Sequence, residues 1–280
     1  MDACPLCQGE VRRTRLAKTS DRPYRVVRCT RCGTATVLPR PSEQDLADFY
    51  GASYFSADTG FGYGDYDGDS WAGAQAVRAW DELQAWAPEV VDVPVRRILD
   101  VGAATGEFAL RAERDGWEAV ACEVGDTARE SAAAKGLKTV TTIAEAPGPF
   151  GVISMYHVLE HLIDPLEALR DARRAVDAHG VLVIEIPQWN SAGRIVRGSS
   201  WAQFRPPEHI NFFSRRSLAG ALRHTGWEVV RSSTPYPHSA ELALGAARRV
   251  RVREAAAHAG RLALGTAGLG GYLRTVARPA

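Results

Sequence analysis

Residues 96–108 read RRILDVGAATGEF and give the strongest indication of the fold. Its first half is the apolar run of a buried strand, and its second half is a glycine-rich turn that opens a helix. Such a turn lets a ligand approach the backbone closely at the carboxyl edge of a sheet. Strand and helix patterns then alternate through GWEVVRSST at residues 226–234. The alternation predicts βαβ units and a mainly parallel, doubly wound α/β sheet with helices on both faces.

The spacing of the glycines differs from that of a dinucleotide-binding turn. A dinucleotide-binding fold requires G-x-G-x-x-G, with a third glycine five positions after the first. Here Gly102 and Gly106 lie four positions apart, and Asp100 precedes the first glycine by two. This pattern resembles motif I of class I S-adenosylmethionine (SAM)-dependent methyltransferases, with Ala104 in place of the usual middle glycine. The resemblance implies a Rossmann-like methyltransferase sheet and a SAM site formed by Asp100, Gly102, Ala104, Gly106 and Phe108.

Two further segments are candidates for SAM contacts. Glu123 ends the second predicted strand, 21 positions after Gly102. A carboxylate there can accept both ribose hydroxyls, and the alternative is a solvated glutamate at a strand end. Ala144 and Glu145 follow the third predicted strand, where an adenine-side segment is expected. The usual acidic residue before the next strand is replaced there by Pro-Phe-Gly at 149–151.

Four of the five cysteines lie in the first 32 residues, as two C-x-x-C pairs separated by 21 residues. In a reducing compartment this spacing predicts a tetrahedral zinc site rather than disulfides. Four thiolate ligands leave no open position, so we expect the zinc to be structural. The predicted ligands are Cys4, Cys7, Cys29 and Cys32. Cys122 lies in an apolar run and is predicted to be a buried strand residue.

The fourth predicted strand ends in YHVLEHLIDP, residues 156–165. This segment resembles the H-V-L-E-H-x-x-D-P pattern of SAM methyltransferases that include ubiquinone-type and sugar-modifying enzymes. Tyr156 and His157 are therefore candidates for contacts with the methionine portion of SAM or with the acceptor, and His157 is also a catalytic candidate. The alternative is that Glu160 and His161 cap the next helix and pack against the sheet. A third interpretation is a divalent ion held by a histidine and a glutamate.

Residues 201–214 read WAQFRPPEHINFFS. Together with the N-terminal ribbon, this segment resembles bacterial zinc-containing sugar C-methyltransferases, which act on nucleotide-linked keto-sugars. The resemblance implies that His209 is the general base and that Glu208 orients it. Histidine suits this role because its pKa lies near neutrality, and the alternative is a structural histidine in a loop over the sheet. Those sugar enzymes continue into a second α/β domain that this sequence does not contain, so the acceptor stays open.

The predicted organisation has four parts. They are a zinc ribbon over 1–40, an aromatic lid and helical segment over 41–95, the SAM-binding core over 96–235 and a helical basic tail over 236–280. Within the second part, Tyr54 and Tyr63 are expected to contact SAM from a glycine-rich lid, with core packing as the alternative. The tail is expected to be a solvated charged face, with contact to an anionic membrane surface as the alternative.

Composition limits the partners. The 280 residues carry 34 basic and 33 acidic side chains, for a formal net charge of +1. We therefore expect a small acceptor, a sugar, nucleotide-sugar or other secondary or antibiotic metabolite, rather than nucleic acid. No signal peptide or membrane span is recognisable, which predicts a cytoplasmic protein. Two alternatives stay open: a zinc-ribbon rRNA or tRNA base methyltransferase, and a non-catalytic SAM-binding or scaffold protein.

Overall fold

The structure is a computed structural model that describes residues 3–18, 24–42, 44–46, 71–235, 260 and 263–280. The strands, in chain order, are β1 (Val11–Lys18), β2 (Tyr24–Cys29), β3 (Ala35–Leu38), β4 (Arg97–Val101), β5 (Glu118–Cys122), β6 (Lys138–Val140), β7 (Phe150–Tyr156), β8 (Val176–Pro187), β9 (Asn211–Phe212), β10 (Trp227–Ser233) and β11 (Tyr272–Pro279). The helices are α1 (Trp71–Trp86), α2 (Glu107–Arg114), α3 (Asp126–Ala134), α4 (Pro165–Ala175), α5 (Ala192–Arg197) and α6 (Arg215–His224).

A seven-stranded sheet has the order β10-β11-β8-β7-β4-β5-β6. The five strands from β8 to β6 pair in parallel, and β11 runs antiparallel to both of its neighbours. The strand order reverses beside β4, since β5 and β6 lie on one side of it and β7 and β8 on the other. In open α/β sheets a ligand crevice lies at such a switch point, outside the carboxyl ends of the strands.

The sheet has a hydrophobic core on each face. Successive residues of β4 alternate between the two cores: Ile98 joins Trp80 of α1 and Phe108 of α2, whereas Leu99 joins the opposite core with Leu169 of α4. A parallel strand covered on both faces is apolar at consecutive positions, which explains the neighbouring Ile98 and Leu99. The predicted doubly wound α/β fold is confirmed.

The prediction of a helical tail over 236–280 is wrong at its end, because Tyr272–Pro279 forms β11 within the sheet. Leu273, Val276 and Ala277 of this strand are fully buried between β8 and β10. Burial of these side chains outweighs the helix propensity of the Ala- and Arg-rich tail. Residues 236–259 lie outside the described part of the chain.

The N-terminal strands form a second sheet of order β1-β2-β3-β9. Its last strand, β9, comes from the segment that contains the predicted base, so the ribbon and the core share one sheet. The shared hydrophobic core contains Val26 and Val37 from the ribbon and Trp201, Phe204 and Phe212 from the later segment. None of the described helices combines the length and apolar composition needed to cross a bilayer.

Candidate functional site

The turn after β4 has the geometry of a ligand-binding loop. Gly102, Ala104 and Gly106 all have positive φ, at 70°, 48° and 89°. A Cβ atom on Gly102 would lie 2.7 Å from a methyl carbon of Val158, so the close approach of backbone to side chain requires glycine there. Ala104 adopts the left-handed conformation despite its methyl group, at a cost of about 1 kcal/mol.

Glu123 lies where the sequence placed it, at the end of β5 beside this turn. Its buried carboxylate accepts hydrogen bonds from the backbone N–H of Ala104 at 2.9 Å and of Gly125 at 2.8 Å. The acid therefore joins the loops after β4 and β5. This position puts a carboxylate at the predicted ribose side of the crevice.

Asp100 is buried in β4 and accepts a hydrogen bond of 2.7 Å from the Ser154 hydroxyl of β7. Burial raises the pKa of Asp100 to about 7; the bond from Ser154 acts in the opposite direction, and the charge of Glu123 adds to the rise. Ser154 is a hydrogen-bond donor to Asp100 that the sequence analysis missed, although a serine within the apolar run FGVISMY was a recognisable signal.

The remaining predicted SAM contacts lie in different surroundings. The rings of Phe108 and Tyr156 pack at 5.1 Å, and the buried Tyr156 hydroxyl has no hydrogen-bond partner within the described residues. Ala144 and Glu145 are exposed in the 3-10 turn after β6, where the Glu145 carboxylate accepts from the backbone N–H of Thr141 at 3.0 Å. Tyr54 and Tyr63 lie outside the described residues.

A glutamate and three histidines meet at the end of β7. Glu160 is 1% exposed, and its Oε1 lies 3.1 Å from Nδ1 of the exposed His157. The pKa of His157 is raised, because the contact with Glu160 and the charges of Glu160 and Glu185 outweigh the opposing effect of burial. His161 lies on the other side of the glutamate, with its Nε2 3.9 Å from Glu160 Oε1.

The predicted base, His209, is buried at 5% exposure, and its ring lies 4.8 Å from the ring of His161. Its Nδ1 is 2.8 Å from the Gln203 carbonyl oxygen, which can only accept a hydrogen bond. Nδ1 is therefore the protonated nitrogen, and Nε2 carries the lone pair. Burial lowers the pKa of His209 to about 3, and the neighbouring His161 adds to this, so the imidazole is neutral. The expectation of a pKa near neutrality is therefore wrong for the protein without SAM or acceptor, because burial removes the water that would solvate the imidazolium.

Glu208 was predicted to orient His209, but the structure gives that contact to the Gln203 carbonyl. The Glu208 carboxylate instead lies 2.9 Å from the Arg205 guanidinium. The Glu208 carbonyl oxygen accepts from Nδ1 of His161 at 3.0 Å. A side chain oriented by a backbone carbonyl leaves no mark in the sequence, so the contact with Gln203 could not be predicted.

Backbone hydrogen bonds hold the two histidine-bearing segments together. The Glu160 carbonyl oxygen accepts from the N–H groups of both Ile210 and Asn211, and the Asn211 side chain donates to the carbonyls of Leu159 and Leu162. Asn211 also begins β9, which pairs with β3 of the ribbon. The ribbon is therefore packed directly against the segment that holds His209.

The four predicted zinc ligands are brought together. All four sulfur atoms lie within 4.8 Å of one another, with 3.7 Å between Cys4 and Cys32 and 3.4 Å between Cys7 and Cys29. A tetrahedral ion with Zn–S bonds of about 2.3 Å separates its sulfurs by about 3.8 Å. The Cys29 sulfur also accepts hydrogen bonds from the N–H groups of Arg31 and Cys32. The donor set thus fits a zinc ion.

Cys122 is 4% exposed in β5, as predicted. Burial, with the nearby charges of Glu123 and Asp100, raises the pKa of its thiol to about 12. This cysteine is therefore an apolar packing residue rather than a nucleophile.

Comparisons with known proteins agree with this geometry. A family model described as a methyltransferase domain matches residues 73–232, more than half of the chain. The search of curated protein sequences found no match to this chain. Similar solved structures include the 4+2 cyclase SpnF, with TM-score 0.57, 21% identity and coverage of 86% of this chain and 97% of the other.

Two methyltransferase structures are also similar to this chain. One is a SAM-dependent methyltransferase from Archaeoglobus fulgidus, with TM-score 0.52, 20% identity and coverage of 72% and 93%. The other is magnesium protoporphyrin IX methyltransferase from Synechocystis PCC 6803 with bound SAH, with TM-score 0.54, 11% identity and coverage of 85% and 100%. Identities this low establish the shared fold alone. Taken with the family match, they show that the chain belongs to the methyltransferase-domain family and has the class I SAM-dependent methyltransferase fold.

Proposed function

We propose that the chain is a SAM-dependent methyltransferase that methylates a hydroxyl or an activated carbon of a small acceptor, with His209 as general base. The acceptor is a sugar, a nucleotide-linked sugar or another secondary metabolite. One observation carries the proposal: the ring of His209 is fixed through Nδ1 to the Gln203 carbonyl, so that Nε2 is available as an acceptor. It lies beside the end of β7, on the edge of the sheet that also bears the glycine turn.

The chemistry requires few groups. The sulfonium methyl of SAM is already electrophilic, so the protein has to align donor and acceptor and to remove one proton. A hydroxyl becomes a good nucleophile on deprotonation, and a carbon beside a ketone becomes an enolate. His209 Nε2 accepts that proton, and the Glu160 carboxylate, with an oxygen within 4.8 Å of the ring nitrogen, stabilises the imidazolium.

Other predicted residues complete the site in this proposal. The Glu208 carboxylate contacts Arg205, and its backbone carbonyl accepts a hydrogen bond from His161, so Glu208 acts as a positioning residue. His157 contacts Glu160 and is exposed. We propose that its ring contacts the methionine portion of SAM or the acceptor. The proposed SAM contacts are those of the turn and its neighbours: Asp100, Gly102, Ala104, Gly106, Phe108, Glu123, Ala144, Glu145 and Tyr156.

We further propose that Cys4, Cys7, Cys29 and Cys32 bind one structural zinc ion. Four thiolates complete a tetrahedral shell, so this ion has no position for substrate. Its effect on the reaction is indirect: it holds the ribbon, whose strand β3 pairs with β9 two residues after His209.

The test is turnover with a panel of acceptors. The zinc-loaded protein is incubated with SAM and either nucleotide-linked keto-sugars, glycosylated metabolites or phenols, and SAH release is measured. For the accepted compound, His209→Ala is expected to lower kcat by about 100-fold or more while SAM affinity is retained. His179→Ala, which removes an exposed histidine from β8, is the matched control. Full activity in His209→Ala would refute the role of the base.

The same panel separates the alternatives. A net charge of +1 supports a small acceptor, whereas methylation of rRNA or tRNA, with affinity that falls steeply with salt, would support the nucleic-acid alternative. The similarity to a cyclase shows that this fold also occurs in a protein named for another reaction. SAM binding without SAH release from any acceptor would therefore favour a non-transferase role.

A further inference from the structure

A second group of metal-binding side chains lies at the histidine cluster. Glu160, His161 and His209 each place one ligand atom within 4.8 Å of the others. Within the described part of the chain, this group and the four cysteines are the two sets that meet this criterion. Its donor set, two imidazoles and one carboxylate, differs from the four thiolates of the ribbon.

Both histidines have the hydrogen bonding that is typical of a metal ligand. Nδ1 of His161 contacts the Glu208 carbonyl at 3.0 Å, and Nδ1 of His209 contacts the Gln203 carbonyl at 2.8 Å. A carbonyl can only accept, so in both rings Nδ1 carries the proton and Nε2 carries the lone pair. Metal-binding histidines typically have this arrangement, with the second ring nitrogen donating to a carbonyl or carboxylate.

The carboxylate supplies an independent observation. Oε1 of Glu160 contacts His157, whereas Oε2 is buried and has no hydrogen-bond partner among the described residues. An unsatisfied buried carboxylate oxygen is costly, because water no longer solvates its charge. A cation beside Oε2 would remove this cost.

We propose that Glu160, His161 and His209 form a binding site for one divalent metal ion of the zinc, nickel or cobalt type. Imidazole nitrogen with one carboxylate oxygen suits these ions better than Mg²⁺ or Ca²⁺, which prefer oxygen ligands. The ligand atoms of the three residues lie within 4.8 Å of one another, compared with about 3.4 Å between ligands of a tetrahedral zinc ion. Small side-chain rotations close this gap. Three protein ligands leave a fourth position open.

The site has a consequence for the reaction, which rests on the proposed function. A metal ion on His209 Nε2 uses the lone pair that the base needs. Metal binding and proton removal therefore exclude each other, and a bound ion inhibits methyl transfer.

The experiment counts metal ions. Protein with its ribbon zinc already bound, at one ion per chain by elemental analysis, is titrated with Zn²⁺ by calorimetry. We expect one further equivalent. Glu160→Gln, which keeps the shape of the side chain and removes its charge, is expected to weaken this second site by at least about tenfold. His179→Ala is the control that should retain it, and the ribbon zinc content of each variant shows that it has folded.

Two results would overturn the metal site: a wild-type protein that binds only the ribbon zinc, or a Glu160→Gln variant whose second site has unchanged affinity. Co²⁺ provides a second readout, since ions in the cluster lack the thiolate charge-transfer band that ions in the ribbon show. The proposed function fails separately. If the second ion binds and turnover is unaffected, His209 is not the base, whereas loss of turnover in His209→Ala without a second ion leaves the base assignment intact.

Discussion

Replacement of Asp100 by asparagine tests the electrostatics of the crevice. Asp100 is 4% exposed, and its carboxylate has one hydrogen bond, from Ser154, and the charge of Glu123 nearby. Burial raises the pKa of this group from 3.8 to about 7. Asparagine has nearly the same shape and can accept the same bond from Ser154, but it never ionises. The variant therefore removes only the charge.

The direction of the pH effect on stability depends on whether the folded or the unfolded state holds the Asp100 proton more tightly. The folded protein keeps the Asp100 proton up to about pH 7, whereas the unfolded chain loses it near pH 4, so the stability linked to this proton is present at low pH and lost as the pH rises to about 7. At about 1.4 kcal/mol per pKa unit, the full effect is at most about 4 kcal/mol. Between pH 5 and pH 8.5 the wild type loses about 3 kcal/mol relative to Asp100→Asn.

The assay is urea unfolding of both proteins without SAM, at about pH 5 and about pH 8.5. The difference in free energy of unfolding in favour of Asp100→Asn is expected to widen by about 3 kcal/mol at the higher pH. Glu130→Gln, the same chemical change on the exposed surface of α3, should show no such widening. A difference that is equal at both pH values would refute the argument that Asp100 is buried with a raised pKa.

Three further predictions concern the backbone, the ribbon and a buried ion pair. Gly102→Ala should destabilise the fold by about 2 kcal/mol and weaken SAM binding in calorimetry, since φ is +70° and the new Cβ lies 2.7 Å from a valine methyl. The control is Gly220→Ala, in open space within α6, which should be neutral or stabilising by up to about 1 kcal/mol. Cys29→Ser should lose the ribbon zinc and lower the hydrogen-exchange protection of β9, whereas unchanged protection would mean that the ribbon does not support that segment. Arg274→Met should cost about 3–5 kcal/mol in urea unfolding because it leaves buried Glu185 without its partner, and a second change, Glu185→Gln, should recover part of the loss.

The sequence predicted the parts of the site that depend on short stretches of chain. The strand, glycine turn and helix around Gly102 are encoded by hydrophobic periodicity and by residues that accept positive φ. Glu123 was predicted to lie at the ligand-binding edge because it ends a parallel strand, and the carboxyl ends of parallel strands lie at the same edge of a sheet. The buried position of Cys122 followed from its apolar neighbours in the same way.

Other features depended on contacts between distant segments. The strand β11 looked helical in composition, and its position between β8 and β10 is set by burial of Leu273 and Val276. Arg274 and Glu185 are charged residues buried within β11 and β8, where they form an ion pair across the two strands. The orientation of His209 by a backbone carbonyl had no signal in the sequence.

Local sequence patterns were enough to predict the fold class, the glycine turn and the clustering of four cysteines, because each depends on interactions within about 30 residues or on a regular spacing. The contact of Glu160 and His161 with His209, nearly 50 residues later in the chain, became visible only in the folded protein. The same holds for the sheet that the ribbon shares with the segment holding that histidine. The physical reason is that ionisation, metal binding and proton transfer depend on distances of a few ångströms and on burial, and packing alone sets both.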